Sequence, residues 1–239
     1  VALAAGIAAD AAAFVPPSEK IATAVARANR AAGRPQSLIL SVALRGGDDR
    51  TLARGELATD GRGLARLELA DGGTSERHLL RGGEYLAARD GRRIADPAPW
   101  LPPLYLLQAR DADRLLAGVL SLGGATETVL GRHDGAICYV LGGRDLAPPA
   151  NESAAQFGST GPRGAVWARR EDFRIVRIDR SDGTRFVLGP PRDHDGVTLP
   201  EWIRIERPGA ANARLEILSA RTSRFDPSVT FGVDWLFGR

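Results

Sequence analysis

Residues Asp60-Gly61-Arg62-Gly63-Leu64-Ala65-Arg66-Leu67-Glu68-Leu69-Ala70-Asp71-Gly72-Gly73 decide the fold class. Glycine-bearing turn signals bracket a run in which Ala65, Leu67 and Leu69 alternate with Arg66 and Glu68. Successive side chains of a strand point to opposite faces, so this run presents one apolar and one charged face. Glycine accepts the positive φ that a tight hairpin turn demands, which makes Asp-Gly between short apolar runs a strong hairpin signal. Moving outward, Gly82-Gly83 and Asp90-Gly91 continue the series at a spacing of about ten residues, that of a meander of short strands. Asp134-Gly135, Asp182-Gly183, Asp195-Gly196 and Pro208-Gly209 repeat the grammar later. Strands are expected near 38–45, 50–58, 63–70, 75–81 and 84–89, then near 125–133, 136–142, 164–169, 173–180, 184–189, 200–207 and 213–221. Ile203 and Ile205 alternate with Arg204 and Glu206 in the same way. Most gaps are too short for crossover helices, so the sheet is antiparallel and the chain mainly β.

Two stretches depart from this pattern. After Pro16-Pro17, Ser18 reads as an N-cap, and Ile21, Val25, Ala28 and Ala32 follow at helical spacing until Gly33 and Pro35. One amphipathic helix over 18–32 is expected. The second stretch starts at Asp96-Pro97-Ala98-Pro99-Trp100-Leu101-Pro102-Pro103, continues through Leu104-Tyr105-Leu106-Leu107, and offers Asp111 as N-cap for Leu115, Leu116, Val119 and Leu120. This short helical insert must bury its apolar side, and one face of the sheet is the available place. Residues 147–163, rich in Pro and poor in apolar side chains, read as a surface loop. With 239 residues, no internal repeat and no second composition, one domain over 14–239 is expected.

Composition narrows the function. Hydrophobic residues at 44% and charged residues at 26% indicate an ordinary globular chain, not a disordered one. Thirty-two Lys and Arg against 29 Asp and Glu make a mixed surface without a basic stripe, which argues against nucleic-acid binding. The chain has no Met, and Val1 to Ala13 is small and apolar around Asp10. This reads as the residue of a signal peptide over 1–13, with A-x-A cleavage at Ala9-Asp10-Ala11 or Ala11-Ala12-Ala13; an Ala-rich helix is the alternative. A periplasmic location, soluble after cleavage, is therefore expected. The lone Cys138 excludes an internal disulfide framework and reads as a small buried hydrophobe.

The sequence carries no recognisable catalytic or metal-binding signature. No phosphate-cradling glycine loop and no G-x-S-x-G elbow occurs. His78, His133 and His194 lack partners at metal-ligand spacing, so no metal or cofactor is expected. Asp193-His194-Asp195-Gly196 is the best polar cluster, yet a hairpin turn accounts for it, as for His133-Asp134-Gly135. The chain is not expected to be an enzyme. Trp202 lies on the Arg204/Glu206 side of its strand, which leaves three readings open: a partner surface, a cavity wall, or ordinary core packing.

Certain stretches carry a resemblance. Gly55-Glu56-Leu57 leads into Gly63 to Leu69; then come Gly83-Glu84-Tyr85-Leu86-Ala87-Ala88-Arg89-Asp90-Gly91, Trp100-Leu101-Pro102-Pro103-Leu104, and Phe225-Asp226-Pro227-Ser228-Val229-Thr230-Phe231. In this order, over residues 18 to about 235, the layout resembles the LolA/LolB-like outer-membrane lipoprotein carrier family. The long 147–163 loop and the ending Val233-Asp234-Trp235-Leu236-Phe237 depart from it. The resemblance implies an open half β-barrel covered by helices, with the insert as a lid. It implies a monomeric periplasmic carrier that takes acyl chains of lipoproteins or other lipids from an inner-membrane exporter towards an outer-membrane acceptor. An envelope-stress regulatory or scaffold protein on the same fold is the alternative. The expected cavity lining is Val42, Leu67, Leu69, Trp100, Leu104, Leu107, Leu116, Leu120 and Ile203. Each buried methylene contributes about 0.8 kcal/mol, so binding should depend on chain length more than on headgroup.

Overall fold

A computed structural model describes residues 15–81, 83–143 and 163–238. The signal-peptide reading of 1–13 and the loop reading of 147–162 lie outside the described residues. In chain order the elements are helix α1 (Ser18–Ala31), strands β1 (Ser37–Arg45), β2 (Thr51–Asp60), β3 (Leu64–Asp71), β4 (Thr74–Arg81), β5 (Glu84–Arg89) and β6 (Arg92–Arg93), helices α2 (Tyr105–Gln108) and α3 (Ala112–Ser121), and strands β7 (Thr128–His133), β8 (Ala136–Leu141), β9 (Ala165–Arg169), β10 (Ile175–Asp179) and β11 (Arg185–Leu188). A hairpin, β12 (Pro191–His194) and β13 (Val197–Pro200), precedes β14 (Trp202–Glu206), β15 (Ala213–Thr222), helix α4 (Pro227–Thr230) and a 3-10 helix at Val233–Phe237.

Thirteen strands make one antiparallel sheet in the order β6-β5-β4-β3-β2-β1-β15-β14-β11-β10-β9-β8-β7. The chain therefore runs outward from β1 to β6 in one meander, crosses through the helical insert to β7 at the far edge, and returns in a second meander that ends with β15 beside β1. Strands β6 and β7 end the sheet and do not pair with each other, so it is open. The turns obey the sequence grammar: φ is positive at both Asp90 and Gly91, both Asp134 and Gly135, and both Asp195 and Gly196. That pair of left-handed residues belongs to the tight hairpin turn whose twist matches the flanking strands.

Alternation sorts the side chains. Leu38, Leu40, Val42 and Leu44 of β1, Leu57 of β2, Ala65, Leu67 and Leu69 of β3, Ile203 and Ile205 of β14 and Leu215 and Ile217 of β15 enter one buried core on the concave face. The opposite, convex face carries a smaller cluster in which Ala58, Leu79 and Ala88 pack under Phe231 and Leu236. Trp235 there is flanked by the guanidinium groups of Arg66 and Arg77, at 4.9 and 5.4 Å from its ring centre. The ending that departs from the carrier pattern thus straps the convex face of the first meander.

Two sequence expectations are corrected here. Ser18 does not cap α1: Pro17 occupies the cap position without a side-chain bond. Proline with its fixed φ starts the helix, which leaves the Ser18 hydroxyl free to donate to Thr126 O at 3.2 Å and to accept from the Thr128 hydroxyl at 2.8 Å. The set of expected strands also lacks two: the hairpin turn expected at Asp193-His194-Asp195-Gly196 is present, but it joins the short strands β12 and β13, and Val197 and Leu199 of β13 enter the concave core.

Candidate functional site

The concave face is apolar from β4 to β8 and is covered, not closed. Ile21 and Val25 of α1, Leu106 and Leu107 of α2, and Leu115 and Val119 of α3 descend onto it, beside Val197 and Leu199 of the hairpin. The structure brings Val42, Leu67, Leu69, Leu104, Leu107 and Ile203 into this one core, and packs the half-buried Trp100 and Leu116 against it. Leu120 does not join them: it is 51% exposed. On α3, Leu115 and Val119 are one turn apart and face inward, so Leu120, about 100° further round, points to solvent.

The cover is sewn down by polar groups, which the sequence reading missed. Asn29 Nδ2 donates to Leu106 O and Ala109 O at 2.9 and 3.1 Å, fixing the end of α1 to the end of α2. Gln108, buried, donates to Pro35 O and Gln36 O and accepts from the Thr59 hydroxyl at 3.0 Å. Arg34 is 7% exposed and, among the described residues, pairs with no carboxylate. Its Nε donates to Thr198 O at 2.7 Å, and its Nη1 to Asn29 Oδ1 and Leu107 O at 3.1 and 3.2 Å. One guanidinium therefore ties helix α1, the insert and the β12–β13 hairpin together. Burial, aided by the Arg174 charge, lowers its pKa to about 10. The signal for these residues was a polar side chain just after a helix or inside an apolar run, but sequence alone does not say which carbonyls it meets.

Space remains at the margin of the cover. A cleft of about 350 Å³ opens between α3 and the β2–β3 and β4–β5 turns, lined by Arg62, Leu80, Tyr105, Arg114, Gly118 and Ser121. A Cβ at Gly118 would lie 2.4 Å from Leu106 Cδ2 and 3.2 Å from Tyr105 Cε2, so these side chains would have to shift to admit one. A second cleft, of about 250 Å³, lies on the convex side around Trp202, His133, Arg169 and Arg174. Trp202 lies over Gly189 and faces away from the concave core, so it is no wall of that cavity.

The polar clusters behave as turns. Asp193 Oδ1 accepts the Gly196 N–H at 3.0 Å, closing the β12–β13 turn. His194 is buried, and burial, followed by the Arg192 charge, lowers its pKa. Burial likewise raises the pKa of the Cys138 thiol. Among the described residues, no three His, Cys, Asp or Glu side chains come together to hold a metal ion, and no helix is long and apolar enough to cross a membrane.

No protein-family model and no curated protein matches the sequence. Solved structures do match the fold. A DUF1329 family protein from Desulfovibrio piger aligns at 14% identity and a TM-score of 0.51 over 92% of this chain and 100% of its own. A LolA superfamily protein from Nitrosomonas europaea aligns at 11% and 0.52, covering 93% and 100%. An outer membrane lipoprotein-sorting protein domain from Vibrio parahaemolyticus aligns at 11% and 0.53, covering 92% and 99%. The fold is LolA-like.

Proposed function

We propose that this chain is a periplasmic carrier that holds the acyl chains of lipoproteins or other lipids against its concave face. The observation that carries this reading is an apolar sheet face covered by detachable elements. A closed barrel or a sandwich would bury the same residues permanently. Here Ile21, Val25, Leu106, Leu107, Leu115 and Val119 of the cover could be lifted without breaking a strand pair. The magnitudes favour exchange. Six such side chains at about 2 kcal/mol each contribute about 12 kcal/mol, and a sixteen-carbon chain at about 0.8 kcal/mol per methylene contributes a similar sum. Cargo and cover therefore compete for one surface on nearly equal terms, which permits both loading and release. The lining comprises Val42, Leu67, Leu69, Trp100, Leu104, Leu107, Leu116 and Ile203. In this reading no residue performs catalysis, the donor is an inner-membrane exporter and the acceptor lies at the outer membrane. Native mass spectrometry of gently purified protein tests it: adducts with acyl-chain masses support carriage, and protein free of lipid that also refuses added palmitate or lipopeptide refutes it.

The cleft around Trp202 favours a second reading, a regulatory or scaffold protein of the envelope. An aromatic side chain beside Arg169 and Arg174 on the convex face is suited to a protein partner. Trp202→Ala should then abolish partner capture while leaving lipid adducts unchanged.

A further inference from the structure

The cleft beside α3 lies at one end of the covered sheet face, and the carrier reading gives it no occupant. The β2–β3 and β4–β5 turns that border it sit at the same end of the first meander. Its floor belongs to the concave side: Leu80 pairs across the strands with Ala65, and both Leu80 and Tyr105 pack against the concave core. Its width comes from small residues, since Gly61, Gly63, Gly83, Ala117 and Gly118 bring little or no side chain to the lining. Among the described residues only two charged ones line it, Arg62 and Arg114, each with a half-exposed side chain. Their acidic partners stand aside. Asp60, paired with Leu64 on the convex side, takes Arg62 Nε and Nη2. Asp111 caps α3 and lies 3.4 Å from Arg114 Nε, while Arg114 Nη1 donates to Gln36 Oε1. Arg62 Nη1 and Arg114 Nη2 make no hydrogen bond among the described residues. Arg81 and Glu84, beside the β4–β5 turn, face each other on the convex side.

Tyr105 and Ser121 complete the polar lining. Ser121 Oγ donates to Gly118 O at 2.7 Å, so its hydrogen is spent, and the Tyr105 hydroxyl at 2.9 Å donates to it. The cleft therefore offers unspent guanidinium N–H groups from two sides and no carboxylate. A guanidinium already held by an acid behind it is a pre-oriented donor, which loses little freedom on meeting a second acceptor. A volume of about 350 Å³ stands at the small end of ligand pockets, enough for a headgroup and not for its chains. An arginine-bordered opening above an apolar floor that leads to the concave core fits an amphiphile with an anionic head. A zwitterionic head would bring the same phosphate with a cation that the two arginines repel and no carboxylate of the lining receives. We propose that this cleft seats the phosphate of an anionic glycerophospholipid whose acyl chains lie on the concave face, so that the protein selects its cargo by headgroup charge as well as by chain. The inference rests on the carrier reading for the chains and on the cleft alone for the phosphate.

Isothermal titration calorimetry of the full chain with monomeric dioctanoyl phosphatidylglycerol and dioctanoyl phosphatidylcholine holds the chains constant and varies the head. Phosphatidylglycerol should bind about tenfold tighter, the worth of roughly one charge-assisted hydrogen bond. Arg114→Gln leaves the Asp111 cap in place and should bring that preference to within about twofold without changing phosphatidylcholine binding. Ala117→Trp, which fills the cleft from the exposed side of α3, should weaken phosphatidylglycerol binding at least about fivefold. Equal affinity of the unaltered protein for the two lipids, or a preference that survives both substitutions, would overturn the inference and leave the carrier reading standing. Binding of neither lipid would overturn the carrier reading, and glycerol 3-phosphate titrated alone then separates the sources of the phosphate. Its binding, lost in Arg114→Gln, would replace the lipid headgroup by a soluble phosphate ester; its failure to bind would remove the site altogether.

Discussion

Arg34 allows a quantitative test of how the cover is held. Its guanidinium makes three charge-assisted hydrogen bonds, to Thr198 O, Asn29 Oδ1 and Leu107 O. At about 2 kcal/mol each they contribute about 6 kcal/mol. Against this stands burial: a pKa of about 10 in place of 12.5, at about 1.4 kcal/mol per pH unit, makes the buried charge cost about 3 kcal/mol. The net contribution is about 3 kcal/mol. Arg34→Met loses the bonds, removes the buried charge and gains apolar packing, so it should cost only about 1–2 kcal/mol. Arg34→Lys should cost more, about 3 kcal/mol. A lysine keeps the charge but cannot hold the planar fork, and it retains one or two of the three bonds. The same surroundings would bring that lysine to a pKa of roughly 8, well below its ordinary value. A base whose pKa falls on folding gives a protein that gains stability as pH rises through the folded value. Arg34→Lys should therefore recover stability between about pH 8 and pH 10, where the wild type does not. Urea unfolding across that range measures both effects. Equal stability of Arg34→Lys and wild type, with a loss above 4 kcal/mol in Arg34→Met, would show that Arg34 acts as a point charge and refute the account of a fork tying three elements.

The other expectations are more direct. Leu116→Glu, placing a charge against the concave core, should reduce palmitate retention at least tenfold, whereas Leu120→Glu on the exposed side of α3 should leave retention within twofold; equal effects would remove the lid from the mechanism. His194→Asn combined with Asp195→Asn should leave cargo transfer unchanged, because Asn tolerates the positive φ at Asp195. Lost transfer with intact folding and lipid binding would instead point to chemistry at that turn. Truncation before Phe225 should expose Ile39, Leu64, Leu79 and Leu86 on the convex face, and light scattering should then find self-associated species; a monodisperse monomer would contradict a covering role. Burial pushes the Asp60 pKa up, but the bidentate Arg62 outweighs it and holds the carboxyl below its ordinary value. Asp60 thus contributes stability that is present above its unfolded pKa and lost as pH falls through the folded one. Arg62→Ala should move the acid-unfolding midpoint to higher pH, and an unmoved midpoint would assign the shift elsewhere.

The sheet was legible where the physics is local. Asp-Gly at 90–91, 134–135 and 195–196 demands positive φ wherever it is placed, and alternation at 65–69 names the inward face without knowledge of partners. The insert was legible for the same reason: Asp111 does accept the Arg114 N–H at 2.8 Å, as an N-cap should. Orientation within that insert was only partly legible, since a run containing Leu115, Leu116, Val119 and Leu120 is apolar over more than one helical face. Tertiary packing places Leu115 and Val119 in the core and leaves Leu120 exposed. The pairing of β1 with β15 joins residues far apart in the chain, and no periodicity announces it.

The buried polar groups lie at the far end of this scale, and they distinguish a cover from a core. A permanent core has no need of Asn29, Arg34 and Gln108 among leucines, because apolar residues of the same volume hold two surfaces together at lower desolvation cost. Hydrogen bonds to carbonyls differ in being directional, so they fix one closed arrangement of α1, the insert and the β12–β13 hairpin. They also rehydrate when the cover lifts, which makes the open state less costly than exposing leucine in their place. An element that must come away and return to the same seat is better served by such bonds than by more grease. On this argument Gln108→Leu, which keeps the volume and forfeits the bonds to Pro35 O, Gln36 O and the Thr59 hydroxyl, should slow cargo exchange more than it alters stability. Stopped-flow uptake of fluorescent palmitate beside urea unfolding measures the two quantities. Unchanged uptake in a destabilised variant would return Gln108 to an ordinary structural role.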